Sequence, residues 1–310
     1  MKASLGLGCW AFGKDFHPDQ RDADSVRTVH CALSRGITHF DTAQTYGRGT
    51  SEQITGQQVR RFRNRFPREK ITIATKLMIT RHTDPLSVRR LVKKSIRRLC
   101  TSYIDICCIH WPVSGYDMRP VLRELDACRK EGLIRETGLS NFPADDLRAL
   151  ANQYEISWYQ GPYSLLWRKP DEQLIPICRD LGIRFCAYSP LANGLLGGAS
   201  APEGKTHLLF LQDHIWKHLS PMIQEMKQTV SQISRLTPAQ AALLWVMQQP
   251  GIDLVLTGAR NRTQLEQITA AAQTDLQEDL AAYFDEFSRQ CSLLLPQDED
   301  NIFAHRWNRS

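Results

Sequence analysis

The sequence lacks any apolar run approaching the ~18 residues a membrane span needs, and Met1 to Trp10 lacks the long apolar core of a secretory signal. It is expected to stay out of the membrane and to be cytoplasmic. Paired CxxC spacings are missing too. The nine cysteines are scattered, with Cys107 and Cys108 adjacent inside an apolar run. An odd number in a chain this long reads as reduced, buried thiols with no metal site. The sequons Asn261-Arg262-Thr263 and Asn308-Arg309-Ser310 then carry no meaning, because they need a secretory route. No Gly/Ser/Pro-rich linker divides the 310 residues, so a single domain over 1–310 is expected, a length to which α/β barrels run. Charge of one sign is not in large excess: 39 Lys plus Arg against 33 Asp plus Glu leaves +6. That suits an anionic cofactor or substrate and does not require nucleic acid.

What is present is alternation. Short apolar runs at Leu5–Gly8, Ile37–Asp41, Ile71–Thr75, Ile104–Ile109, Glu136–Leu139, Trp158–Gln160, Ile183–Tyr188 and Asp253–Leu256 read as strands. Amphipathic segments such as Val26–Arg35, Leu86–Leu99, Val121–Glu131, Asp145–Gln153, Pro170–Leu181 and Pro238–Met247 lie between them. Continuous apolar strands joined by helices indicate parallel strands buried on both faces, and eight is the number that closes a (β/α)8 TIM barrel. Gly36, Gly132 and Gly182 each sit where a helix would end in a left-handed cap, and Thr237-Pro238 marks a helix start. The stretch from Leu191 to about Ser220, with Asn193-Gly194 and Gly197-Gly198, is expected to be a loop over one end of the barrel.

Two basic segments, Arg60 to Phe66 and Arg89 to Arg98, invite a nucleic-acid reading. In the second, Val88, Leu91, Val92, Ile96 and Leu99 form one apolar stripe and leave the cations on a solvated face. The Gly6-Leu7-Gly8 string has too little chain before it for a dinucleotide fingerprint.

The chemistry gathers after the strands. Asp41 and Tyr46 follow the second, Lys76 ends the third, His110 the fourth and Gln160 the sixth. Ser140-Asn141 follow the fifth, Tyr188-Ser189-Pro190 the seventh and Gly258-Ala259-Arg260 the eighth. In a barrel these positions converge on the C-terminal mouth, where such folds build active sites. A phenol is a poor acid at neutral pH. A neighbouring ammonium favours the phenolate, and a carboxylate can hold that ammonium in place. A neutral His110 can add a hydrogen bond to the same substrate oxygen, and Tyr188 offers a flat face for an aromatic ring. The set suits protonation of a carbonyl oxygen. Paired carboxylates at strand ends, which glycoside hydrolysis needs, are lacking.

These motifs resemble the aldo-keto reductase superfamily: Gly-Leu-Gly-Cys-Trp at the start, Asp41-Thr42-Ala43-x-x-Tyr46-Gly47, Ala74-Thr75-Lys76, Ile109-His110-Trp111-Pro112, Gly138-Leu139-Ser140-Asn141-Phe142, Tyr188-Ser189-Pro190-Leu191 and Gly258-Ala259-Arg260-Asn261. The resemblance covers Gly6 to about Ala270. It implies a single (β/α)8 barrel that binds NADP(H), or NAD(H) in its place, and reduces an aldehyde or ketone. It implies a catalytic tetrad of Asp41, Tyr46, Lys76 and His110, with Tyr46 the general acid. Ser140, Asn141 and Gln160 match the carboxamide contacts and Tyr188 the ring beneath the nicotinamide. Ser189, Pro190, Leu191, Asn193 and Gly194 match the pyrophosphate segment. Thr257, Gly258, Ala259, Arg260, Gln264, Gln267 and Ile268 match the adenosine end, and Trp10, Tyr46, His110 and Trp111 line the substrate pocket. Departures are the lack of an N-terminal β-hairpin under the barrel, Thr257 in place of a proline, and Gln267-Ile268 in place of a Glu-Asn pair. The expected partner is a small, polar or sugar-like carbonyl compound. A cofactor-binding regulatory subunit of the same fold is the alternative. Residues 291–310 mix aromatic rings with charges and are expected to fold back over the mouth as a tail.

Overall fold

Parallel strands bury both faces, so every strand here must be apolar towards the helices as well as towards the barrel axis. The computed structural model describes residues 2–15, 17–197, 208–296 and 301–303. Its strands are β1 (Ser4–Gly8), β2 (His39–Asp41), β3 (Thr72–Leu77), β4 (Ile104–Ile109), β5 (Ile134–Ser140), β6 (Trp158–Pro162), β7 (Arg184–Tyr188) and β8 (Leu254–Gly258). Each pairs in parallel with the next, and β1 closes the ring on β8, Ser4 opposite Leu254 and Gly8 opposite Gly258. The expected (β/α)8 barrel is the observed one.

The helices are α1 (Asp22–Ser34), α2 (Thr50–Arg61), α3 (Pro85–Arg98), α4 (Arg119–Lys130), α5 (Ala144–Ala151), α6 (Leu174–Asp180), α7 (Asp213–Ile233), α8 (Pro238–Gln248), α9 (Arg262–Ala272) and α10 (Glu278–Ser292). Their ends follow local chemistry. Asp84 caps α3 by accepting from the Ser87 amide at 2.6 Å, with Pro85 at the first helical position. Thr237 and Gln240 form a reciprocal capping box at α8. Gly36, Gly132 and Gly182 take φ of 81°, 75° and 69° just past α1, α4 and α6, a region an L side chain enters only with strain. No helix among the described residues is long and apolar enough to cross a membrane.

Two expectations need correction. The segment from Leu191 to Ser220 is not a loop throughout: 3-10 turns cover Ala192–Gly197 and Leu209–Leu211, and α7 begins at Asp213. Gly198 and the rest of 198–207 lie outside the described residues. The expected helix Pro170–Leu181 is two pieces, a 3-10 turn at Lys169–Asp171 and then α6. Pro176 explains the break, since its ring would strike the carbonyl four residues earlier if the helix ran through.

Two apolar layers separate cleanly. Phe40, Ile73, Cys107, Ile109, Leu139, Tyr159, Phe185 and Val255 pack with the helices in one cluster. Ala74, Ile106, Cys108, Trp158, Cys186, Leu254 and Leu256 form a second cluster inside the barrel. The inward rows therefore run at every second residue, as in any closed barrel. At the floor, side chains of β5, β6 and β7 meet. Arg184 pairs with Glu136, its guanidinium lies 4.2 Å from the Trp158 ring centroid, and Trp158 Nε1 donates to Glu136 Oε2 at 2.7 Å. His39 lies beside Trp158, ring centroids 6.1 Å apart. The basic face of α3 is partly paired as well: Arg89 bonds Glu124 and Glu131, and Arg98 bonds Glu52.

Candidate active site

Following the inward rows upward leads from the floor through the middle cluster to a polar mouth. Beyond His39 comes Asp41, beyond Ala74 comes Lys76, beyond Cys108 comes His110. Beyond Gly138 comes Ser140, beyond Trp158 comes Gln160 and beyond Cys186 comes Tyr188. A period of two thus carries six of the expected site residues to one end of the barrel.

Lys76 is the hub. Its Nζ donates to Asp41 Oδ2 at 2.5 Å, to the Thr42 carbonyl at 3.0 Å and to Tyr46 Oη at 3.4 Å. The lysine is 1% exposed, and Asp41 is buried beside it. Burial alone would lower the Lys76 pKa, but Asp41 and Tyr46 outweigh it and hold the ammonium charged. For Tyr46 the balance falls the other way. Burial pushes the phenol above its ordinary range; Lys76 pulls it down and Asp41 pushes it up. The expected net acidification by Lys76 is therefore not what the site gives: burial outweighs the ammonium, Asp41 adds to the effect of burial, and Tyr46 stays protonated. His110 sits edge-on to Tyr46, ring centroids 5.7 Å apart, with Nδ1 3.4 Å from Thr45 Oγ1. Burial, then Lys76, holds its pKa well below the usual imidazole value, so the ring is neutral as the sequence suggested. Gly47 fixes this end of the site. Its φ is 59° and a Cβ there would strike Gly13, so the backbone after Tyr46 approaches the turn at Trp10–Gly13 more closely than any side chain allows.

The amide groups lie beside Asp41 and His110. Gln160 Nε2 donates to Asp41 Oδ1 at 2.9 Å. Asn141, at φ 64°, donates through Nδ2 to the His110 carbonyl and to Ser140 Oγ, both at 3.0 Å, and accepts from the Tyr188 hydroxyl at 2.7 Å. After β7 the chain turns sharply, with Ser189, Ala192 and Asn193 all at positive φ and Ser189 Oγ donating to Asn193 Oδ1 at 2.8 Å. Pro190 is buried in that turn, Leu191 is partly buried, and Gly194 takes φ 96°.

At the far end, Asn261 caps α9 by accepting from the Gln264 amide, while Gln264 Oε1 accepts from the Arg260 amide at 2.9 Å. The Arg260 guanidinium bonds Asp19 and, at 3.3 Å, Gln20 Oε1. Gly258 is exposed and Ala259 buried. Thr257 and Ile268 do not present side chains at the mouth. Leu254 and Leu256 face the barrel interior, so Thr257 faces the helices, buried with its hydroxyl unpaired, and Ile268 is in the core. Gln267 is exposed and its carbonyl accepts from Gln240 Nε2.

Trp10 and Trp111 flank the mouth, Trp10 beside His17 and Trp111 stacked near His110. Over them lies part of the tail. Asn301 Nδ2 donates to Asn141 Oδ1 at 2.8 Å, and the Phe303 ring lies nearly parallel to Tyr188 and edge-on to Trp111. Of the expected tail 291–310, Asn301 and Phe303 reach the mouth, Cys291 and Ser292 instead end α10, and 297–300 and 304–310 lie outside the described residues. Thr45 and the Asp19–Gln20 pair were not foreseen; nothing local to their sequence marks them.

A parallel barrel gathering a carboxylate, an ammonium, a phenol and a neutral imidazole at its C-terminal end is arranged for proton transfer to a polar substrate. Comparison with known proteins agrees. The sequence model of the aldo/keto reductase family matches residues 4–289, and the chain belongs to that family. It is 33% identical over 286 residues to aldo-keto reductase YhdN of Bacillus subtilis (strain 168), covering 86% of this chain and 83% of that one. It is 29% identical over 301 residues to the NADH-specific methylglyoxal reductase of Escherichia coli (strain K12), covering 88% and 91%. Among solved structures, the aldo/keto reductase of Klebsiella pneumoniae in complex with NADP and acetate aligns with a TM-score of 0.73 at 26% identity, over 97% of this chain and 94% of that one.

Proposed function

We propose that this chain is an NAD(P)H-dependent reductase of small polar carbonyl compounds, with Asp41, Tyr46, Lys76 and His110 as its catalytic residues. The observation that carries the reading is the Lys76 ammonium bridging Asp41 Oδ2 and the Tyr46 hydroxyl inside a family barrel. The donor set suits a dinucleotide: amide and hydroxyl groups on Ser140, Asn141 and Gln160, a flat ring on Tyr188, the turn Ser189–Gly194, and Arg260 with Gln264 at the start of α9. When bound, the reduced nicotinamide supplies the hydride.

The chain's own residues manage the proton and the charge. Burial keeps the proton on Tyr46 until the carbonyl oxygen takes it, and Lys76 stabilises the phenolate left behind. Asp41 holds Lys76 in place. Neutral His110 orients the same oxygen, and Trp10 and Trp111 exclude water around it. Relatives that use NADH and NADP both occur. Arg260 favours NADP(H) here, because a guanidinium can read a 2′-phosphate with two hydrogen bonds once it leaves Asp19. A purely regulatory role is not favoured, since the four tetrad residues are present and connected.

The test is a screen of methylglyoxal, simple aldehydes and open-chain sugars with NADPH and with NADH, followed at the nicotinamide absorbance. Oxidation of one cofactor per carbonyl reduced is expected, faster with small polar substrates than with steroids or long alkyl aldehydes. Absence of turnover with every substrate, in a folded protein that binds cofactor, would return the reading to a binding subunit.

A further inference from the structure

The side-chain amide of Asn141 has two hydrogens to give and two lone pairs to fill. All four are in use. The hydrogens go to the His110 carbonyl and Ser140 Oγ, and the lone pairs take the Tyr188 hydroxyl at 2.7 Å and Asn301 Nδ2 at 2.8 Å. Three of these partners belong to the barrel or its strand ends. The fourth comes from the C-terminal segment, 160 residues away in sequence. Asn301 is buried, and its Nδ2 also lies 3.4 Å from the Tyr188 hydroxyl. Two residues on, Phe303 sets its ring at 23° to that of Tyr188 with centroids 6.4 Å apart. Ile302 between them is 2% exposed, and its carbonyl accepts from the Leu209 amide at 3.1 Å. The segment is thus seated, with an amide on Asn141 and a flat ring alongside Tyr188.

We propose that Asn301 and Phe303 are a built-in occupant of the nicotinamide subsite, which the cofactor's nicotinamide half must displace. The inference rests on the cofactor reading above. A nicotinamide carries the same two groups, a primary amide donor and a flat ring, and would present them to the same two residues. Because Asn141 has no spare capacity, a carboxamide can bond it only by replacing a present partner. Of the four, Asn301 is the partner supplied from outside the barrel and its strand ends. Gln160 has its Nε2 held by Asp41, so towards a carboxamide it can act through Oε1 as an acceptor and does not replace Asn141. Affinity for NADPH is then reduced by the fraction of molecules in which the segment is seated. The ADP-ribose half, bound along Ser189–Gly194 and Arg260, feels no such competition.

The experiment is titration of the full chain with NADPH and with 2′-phospho-ADP-ribose, which lacks the nicotinamide, followed by quenching of tryptophan fluorescence. The variants are Asn301→Ala/Phe303→Ala, which leaves Ile302 in the core, and Asn301→Asp, which cannot donate to Asn141. Both should bind NADPH at least about fivefold more tightly than the wild type, with the affinity for 2′-phospho-ADP-ribose unchanged. In the wild type, saturating NADPH should increase amide hydrogen exchange in the peptide containing 301–303. Weaker NADPH binding by the variants, or increased protection of that peptide, would make the segment a clamp on bound cofactor and overturn displacement. Equal binding by all three proteins would overturn it as well, while leaving the cofactor reading intact. Failure of every protein to bind either ligand would remove the cofactor reading and this inference with it.

Discussion

The floor and the mouth of this barrel are built on the same strands, a few residues apart. On β5 the inward row runs from Glu136 to Ser140, on β7 from Arg184 to Tyr188, on β6 from Trp158 to Gln160 and on β2 from His39 to Asp41. Both ends contain an ion pair. At the floor, Arg184 and Glu136 keep 43% and 35% of their side-chain surface, so water shares the work and the pair is worth little by itself. Its value lies in the plug it makes with Trp158, which covers the end of the barrel. At the mouth, Lys76 and Asp41 are 1% and 5% exposed, so removing either would leave the other buried without its partner. The difference is that the mouth pair has a third group, the Tyr46 phenol, within reach of the ammonium. Charge at the floor closes a structure; charge at the mouth is available to a reaction.

The sharpest way to break this contrast is to remove one cation from each end. Lys76→Met strands a buried Asp41, so it should cost about 3–5 kcal/mol of stability and lower turnover by at least about a thousandfold. Arg184→Met should cost about 1–2 kcal/mol, from the exposed pair and the cation–π contact, and leave turnover within about twofold. Denaturant melts and steady-state kinetics on the same preparations check both. Loss of activity in Arg184→Met would mean that the two ends are coupled.

Next in size is Tyr46→Phe, which deletes one hydroxyl. Reduction should fall by at least about a hundredfold, the usual scale for one general acid, while NADPH binding by fluorescence stays the same. A Phe variant as fast as wild type would remove Tyr46 from the tetrad.

Arg260→Ala probes the mouth's outer edge, where the guanidinium already has Asp19 as a partner. It should weaken NADPH by about tenfold, the scale of one charge-assisted contact, and NADH far less. Equal losses for both cofactors would show that Arg260 does not read the 2′-phosphate.

The smallest effect belongs to the floor. Burial lowers the His39 pKa to about 4, against about 6.5 for a free histidine. The folded state therefore disfavours the proton. The His39 contribution is fully present above about pH 6.5 and is lost as the pH falls towards 4. The full gap corresponds to about 3 kcal/mol, discounted to about 1 kcal/mol at pH 5 because the ring keeps some exposure. Unfolding free energies at pH 7 and pH 5 should differ less in His39→Gln than in the wild type. An identical pH dependence would place the acid sensitivity elsewhere.

The amino-acid sequence by itself determined the alternation of strand and helix, the closure at eight strands and the identity of the polar residues at strand ends. Those signals are local: apolar runs, caps such as Thr237, and motifs such as Asp41 to Gly47 survive without knowledge of partners. It did not determine which face each strand residue takes. Helices cover the outside of the barrel, so both faces are apolar and the period of two is hidden until a polar residue ends the row. That is why Thr257, one residue before Gly258, reads as a cofactor contact in sequence and turns out to be packed against the helices. It is also why the floor plug of Glu136, Trp158 and Arg184 could not be assembled in advance. The break before α6 was written in Pro176, but the start of α7 inside an apparent loop was not. Only the tertiary structure decided the net acidity of Tyr46, because burial and two opposing charges act on it at once and their sum depends on distance. Only the fold, too, could bring Asn301 to Asn141 across 160 residues, since a hydrogen bond is decided by where two atoms end up and leaves no mark along the chain.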